Sequence, residues 1–167
     1  MLGAAWPVMQ AELGLPLAGA GLVSMIVSGC TIISSLFSGF LIRRLGTGKL
    51  MLISVLMTAL ALLGYSYSQT YIWLCLIAVP LGLGAGAVDA ALNDFVARNF
   101  AARHMSWLHS FWGVGATTGP LIMAFMLKHT GHWQMGYRTI AIIQFVLVAI
   151  LALSMPLWQR YPAPPTP

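Results

Sequence analysis

From Leu50 to Val88 the chain contains no charged residue, with a polar break only at "SQT", Ser68 to Thr70, and three other stretches are equally free of charge: Leu17 to Ile42, Met105 to Leu127 and Thr139 to Trp158. An uncharged apolar stretch of about 18 residues or more is long enough to cross a bilayer as a helix. Charged residues make up 7% of the sequence and hydrophobic ones 59%, against about 25% charged in an ordinary soluble domain. So few charges cannot cover a water-facing surface, and the excess apolar surface has to face lipid.

The sequence therefore predicts an all-α membrane protein. Five full spans are expected at residues 17–42, 50–67, 71–98, 105–127 and 137–158, joined by the short polar connections "RRLGTGK", "SQT", "NFAARH" and "KHTGHWQMGYR". Short connections make sequential helices antiparallel neighbours. Residues 1–10 are apolar but would reach only about 14 Å as helix, too short for a core of about 30 Å. They carry no basic leader and too short a core for a signal peptide. They are expected to be the last turns of a first span whose beginning lies outside this sequence. A natural truncation, a split gene and an excised piece stay open. The expected whole is a partial six-helix bundle over residues 1–160, followed by a proline-rich tail or linker at 161–167.

The net charge of +5 reports topology rather than nucleic-acid binding. Arg43, Arg44, Lys49, Arg98, Arg103 and Arg160 fall on one side of these spans, and Lys128 and Arg138 on the other. The excess puts the first group in the cytoplasm. Tyr65, Tyr67, Tyr71 and Trp73 flank "SQT" as an expected interfacial belt. Cys30 and Cys75 lie in apolar runs as small packing residues, and no metal-ligand spacing is present.

A shift of 85 positions lays "FLIRRLG" (Phe40 to Gly46) over "FMLKHTG" (Phe125 to Gly131), with phenylalanine, cation and glycine coinciding. This offset predicts two inverted units of three helices, in which the fourth span is the counterpart of the short first one.

Only three acids occur: Glu12, Asp89 and Asp94. Asp94 stands four before Arg98, the spacing of a helix-end ion pair. Asp89 lies deeper, three after Gly86 and four before Asn93. Gly82 and Gly86 suit close helix approach, and Asp89 is expected to share their face and point into the bundle. An intramembrane acid is costly and marks a functional position by default. On the fifth span, His109 can titrate between pH 5 and 8, and Trp112 can stack on an apolar sugar face. Asp89 and His109 are thus proton-coupling candidates, and Asn93 and Trp112 cavity candidates. Gly119-Pro120 is expected to kink that helix. Ser24, Ser28, Thr31, Ser35 and Ser38 form a hydroxyl stripe along the second span, a surface for close and sliding helix contact.

Three segments resemble the N-terminal half of a major facilitator superfamily (MFS) transporter of the fucose-permease-like branch: "GFLIRRLGTGK" (Gly39 to Lys49), "GLGAGAVDAALNDFV" (Gly82 to Val96) and "LHSFWGVGATTGP" (Leu108 to Pro120). Gly39, Arg44, Gly46 and Lys49 fit the family's loop signature, but Arg43 stands where an acid is expected. The resemblance implies alternating access around a mid-membrane cavity and a second six-helix half, in the same gene or a separate chain. The sequence carries no Walker loop, no serine–histidine–aspartate set and no metal spacing, so no cofactor, no enzymatic activity and no nucleic-acid partner are expected. The expected setting is a bacterial inner membrane. Three functions stay open: proton-coupled uptake of a small solute such as a sugar or polyol, export of small molecules, or a non-transporting membrane fragment that assembles with a partner half.

Overall fold

The computed structural model describes residues 1–161. The proline-rich tail expected from 161 onward lies, apart from Tyr161, outside the described residues. Seven helices follow one another: α1 (Leu2–Leu13), α2 (Gly19–Leu45), α3 (Thr47–Ser66), α4 (Tyr71–Asn99), α5 (Ala102–Thr130), α6 (Trp133–Leu153) and the single turn α7 (Met155–Trp158). No strand occurs among the described residues, and α2 to α6 are each long and apolar enough to span a membrane.

The helices run past the uncharged stretches where the flanking residues are polar but good helix formers. The sixth span departs most. It starts at Trp133 rather than 137 and stops at Leu153, because Pro156 cannot continue it. The chain breaks at Ser154 and turns across the end of the bundle, so Trp158 packs on Gly48 at the start of α3 instead of continuing the span. By contrast α5 passes through Gly119-Pro120 as one unbroken helix.

The packing has internal symmetry. Exchanging α1 with α4, α2 with α5 and α3 with α6 maps the helix pairs that touch among these six onto one another, with α3 against α6 mapping onto itself; α2 against α4, for instance, becomes α5 against α1. The glycines that end α2 and α5 share a positive φ, 78° at Gly46 and 72° at Gly131, and the two are 85 residues apart. Glycine enters that range without strain; Gly131 is a left-handed helical cap, whereas Gly46 has ψ 154° and leads the chain on extended into α3.

Small residues bring α4 into its neighbours. A Cβ on Gly82 or Gly86 would run into the carbonyl oxygens of Val27 and Thr31 on α2, and one on Gly84 would meet Thr58 and Ser54 of α3. Such contact replaces the hydrophobic drive that is missing between helices in lipid. Hydroxyls fasten the same seam: Thr31 Oγ1 donates to Gly82 O (3.2 Å), Ser34 Oγ to Leu83 O (2.6 Å) and Ser35 Oγ to Gly86 O (3.3 Å). The expected stripe is therefore only partly used. Ser24 and Ser28 are exposed and make no such bond, Ser38 returns to Ser35 O, and Ser34, outside the stripe, makes the shortest cross-helix bond. These bonds fasten α2 to α4 in this arrangement.

Tyr65 also departs from expectation. It is buried, stacks on Tyr137 (5.2 Å between centroids) and donates to Leu74 O, while Tyr67 and Trp73 remain at the surface. The outer face of α6 shows Ile142, Val146 and Ile150, one helical turn apart and all exposed, a lipid-facing stripe.

Candidate functional site

Two of the three acids are engaged. Asp94 pairs with Arg98 one turn on. Glu12, at the end of α1, accepts from Trp133 Nε1 (2.6 Å) and Gln134 Nε2 (3.4 Å) at the start of α6, where the helix N-terminus favours a negative charge. Nothing in the sequence announced that contact, which joins residues more than a hundred positions apart. Truncating Glu12 to alanine leaves the fully buried Trp133 indole without its acceptor. It is expected to cost about 1–3 kcal/mol, against about 0.5 kcal/mol or less for Asp94→Asn at the half-exposed helix-end pair. Denaturant titration of the purified chain in detergent, followed by circular dichroism, measures both.

Asp89 is different. It is exposed on the bundle, and among the described residues its carboxylate has no hydrogen-bond or ion-pair partner. The expectation that it points into the bundle beside Gly82 and Gly86 is corrected here. Three residues along an α-helix turn about 300°, so Asp89 stands about 60° off Gly86 and nearer the line of Ala85. Ala85 is exposed as well, whereas Gly82 and Gly86 are buried. Asn93 continues that line and donates from Nδ2 to Asp89 O (2.9 Å). Asp89 lies ten residues before the end of α4, about 15 Å along the axis, deep in the hydrocarbon layer.

His109 and Trp112 also lie on the open surface of α5, Trp112 being 70% exposed. They stand roughly 10 and 15 Å from the same end of the bundle. The structure does not join His109 to Asp89. Helix α5 packs on α6 and α1 and only slightly on α4, and no hydrogen bond links the two side chains. What the structure does bring to one depth is an unpaired carboxylate, an amide, an imidazole and an indole, all on helix faces that the bundle leaves open.

The loop residues occupy the basic end. Gly46 turns α2 into α3, and Arg43, Arg44 and Lys49 are exposed around it. Gly39 lies near Arg43, and Gly119 packs against Met1, so Gly119 serves the α1–α5 contact and Pro120 is carried within α5.

The sequence pattern of the Major Facilitator Superfamily matches residues 1–167. Among curated proteins the chain is similar to a cis,cis-muconate transport protein of Acinetobacter baylyi, with 22% identity over 91% of this chain and 38% of that protein. It is similar to the multidrug resistance protein MdtG of Klebsiella pneumoniae, with 26% identity over 86% of this chain and 35% of that protein. It is also similar to synaptic vesicle glycoprotein 2A of Rattus norvegicus, with 26% identity over 81% of this chain and 19% of that protein. The chain thus spans roughly a fifth to two fifths of the length of these relatives.

Proposed function

We propose, from the premise that this chain belongs to the Major Facilitator Superfamily, a family of transporters rather than enzymes, that it forms one half of the pathway of a proton-coupled carrier for a small organic solute. The observation that carries this reading is Asp89: mid-depth, exposed on the bundle and, among the described residues, without a partner, while the other two acids are both engaged. A carboxylate cannot face lipid tails at that depth without large cost. The face of α4 that bears it therefore suits a water-filled cavity or a second helical bundle. Hydration of such a carboxylate changes as a cavity opens to one side or the other, and this ties its protonation to conformation.

Asn93 and Trp112 supply a hydrogen-bonding amide and a stacking surface, the groups a sugar or polyol would need, and an asparagine at the Asn93 position is what the resemblance to the fucose-permease-like branch implies. Proton-driven uptake of labelled sugars and polyols into vesicles that hold the whole transporter tests the reading. Accumulation that collapses when an ionophore dissipates the pH gradient is expected. Extrusion of solute against its gradient, with no accumulation, favours export instead. Gly119-Pro120 on α5, which resembles the antiporter signature of the superfamily, and the likeness to a multidrug resistance protein support that second reading.

The basic end is proposed to be cytoplasmic, in a bacterial inner membrane, because six of the eight Lys and Arg residues gather there. With Cys30 and Cys75 replaced, cysteines at the exposed Ala101 and Thr130 report the orientation. An impermeant thiol reagent added to whole cells should label position 130 and not 101, and the reverse pattern inverts the assignment.

A further inference from the structure

The turn between α2 and α3 encloses a cavity of about 300 Å³, lined by Arg43, Arg44 and Lys49 and closed on one side by Trp158 and Tyr161. The aromatic wall is fixed from behind. Trp158 rests on Gly48, donates from Nε1 to Ser154 Oγ (3.2 Å) and packs on Phe95 (4.9 Å), which also meets the edge of Tyr161 (5.2 Å). The cavity has three cations, and among the described residues none of them meets a carboxylate; the one ion pair there is Arg98–Asp94. Arg44 is held over the Phe40 ring (4.7 Å). Gly46 caps the start of α3 without a side-chain hydrogen bond, so the first amides of that helix are also free to face an acceptor.

We propose that this cavity binds a phosphate group, and that the group belongs to the headgroup of an anionic phospholipid. Guanidinium forks match phosphate oxygens. The cavity opens at the ends of two membrane-spanning helices, where headgroups lie, and an indole and a phenol are the side chains favoured at that level. Arg43 supplies the cation that converts the turn from a balanced pair into a basic pocket. Arg103 stands at the same end, at the start of α5, but does not line the cavity.

The full chain is reconstituted in vesicles of equal parts phosphatidylcholine and phosphatidylglycerol, extracted in mild detergent, and its retained lipid counted by native mass spectrometry. The unaltered chain should retain phosphatidylglycerol in preference to phosphatidylcholine. Arg43→Gln should lower that retention about tenfold, the loss expected when one charge-assisted hydrogen bond to phosphate is removed. Arg43→Lys should keep most of it, which separates loss of charge from loss of fold. Arg103→Gln changes the net charge equally and should leave retention intact. Equal losses in Arg43→Gln and Arg103→Gln would mean diffuse surface attraction and overturn the site, as would no preference for phosphatidylglycerol. Inorganic phosphate is added separately to chain held in phosphatidylcholine alone. If it raises the thermal stability while no phosphatidylglycerol is retained, the occupant is a free anion and the lipid assignment is overturned.

Discussion

Replacing Gly86 with valine is expected to prevent α2 and α4 from packing, and with them the whole bundle. The contact allows no adjustment: a Cβ at position 86 meets the backbone of Thr31, not the tip of a flexible side chain. The helices would have to separate, breaking the hydroxyl bonds from Thr31, Ser34 and Ser35 to the α4 carbonyls. The cost should exceed about 3 kcal/mol, the upper end of ordinary overpacking. Gly29 on the same α2 faces open space, so Gly29→Ala should be neutral or gain up to about 1 kcal/mol from helix propensity. Denaturation in detergent micelles, followed by circular dichroism, separates the two. A Gly86→Val chain as stable as Gly29→Ala would show that the α2–α4 seam is not formed as described.

In the whole transporter, Asp89→Asn is expected to abolish proton-driven accumulation while leaving substrate exchange between equal compartments. Asparagine keeps the shape of the side chain and a carbonyl acceptor but cannot take up or release a proton. The change should be all-or-none for accumulation, because Asp94 and Glu12 are committed to partners and cannot substitute. Asp94→Asn should retain accumulation. His109→Gln should reduce the rate without uncoupling, since the imidazole makes no bond to Asp89 in this arrangement. An Asp89→Asn carrier that still concentrates solute would make Asp89 a structural residue.

The spans were legible because uncharged runs of this length have one physical solution, and the breaks at "SQT" and at the basic turn are where helices must end. A close helix approach at Gly82 and Gly86 could be read, though not that α2 is the partner, and the 85-residue repeat could be read from Gly46 and Gly131, which both take a positive φ in the structure. Side-chain partners were less legible. Glu12 meets Trp133 across a distance in sequence that no local pattern encodes. Ser34 was overlooked because a stripe counted at three and four residues skips a hydroxyl lying just beside it. Tyr65 was placed in the interface by its neighbours in sequence, although one turn of helix carries it into the core against Tyr137. The candidate site shows the same limit. Its residue types were visible, but a 60° rotation decides whether Asp89 enters the bundle or leaves it, and spacing alone did not resolve that.

The claim that the open face of Asp89 borders water rather than lipid can be measured directly. Single cysteines are placed at Asp89 and at Val146, the latter on the apolar outer face of α6, in whole transporter lacking Cys30 and Cys75. Reaction with a membrane-impermeant, water-borne methanethiosulfonate is then followed with and without substrate. A cysteine at 89 should react readily and be protected by substrate, while one at 146 stays unreactive. Equal, slow reaction at both positions would place Asp89 against lipid or buried protein and contradict its role in a transport path.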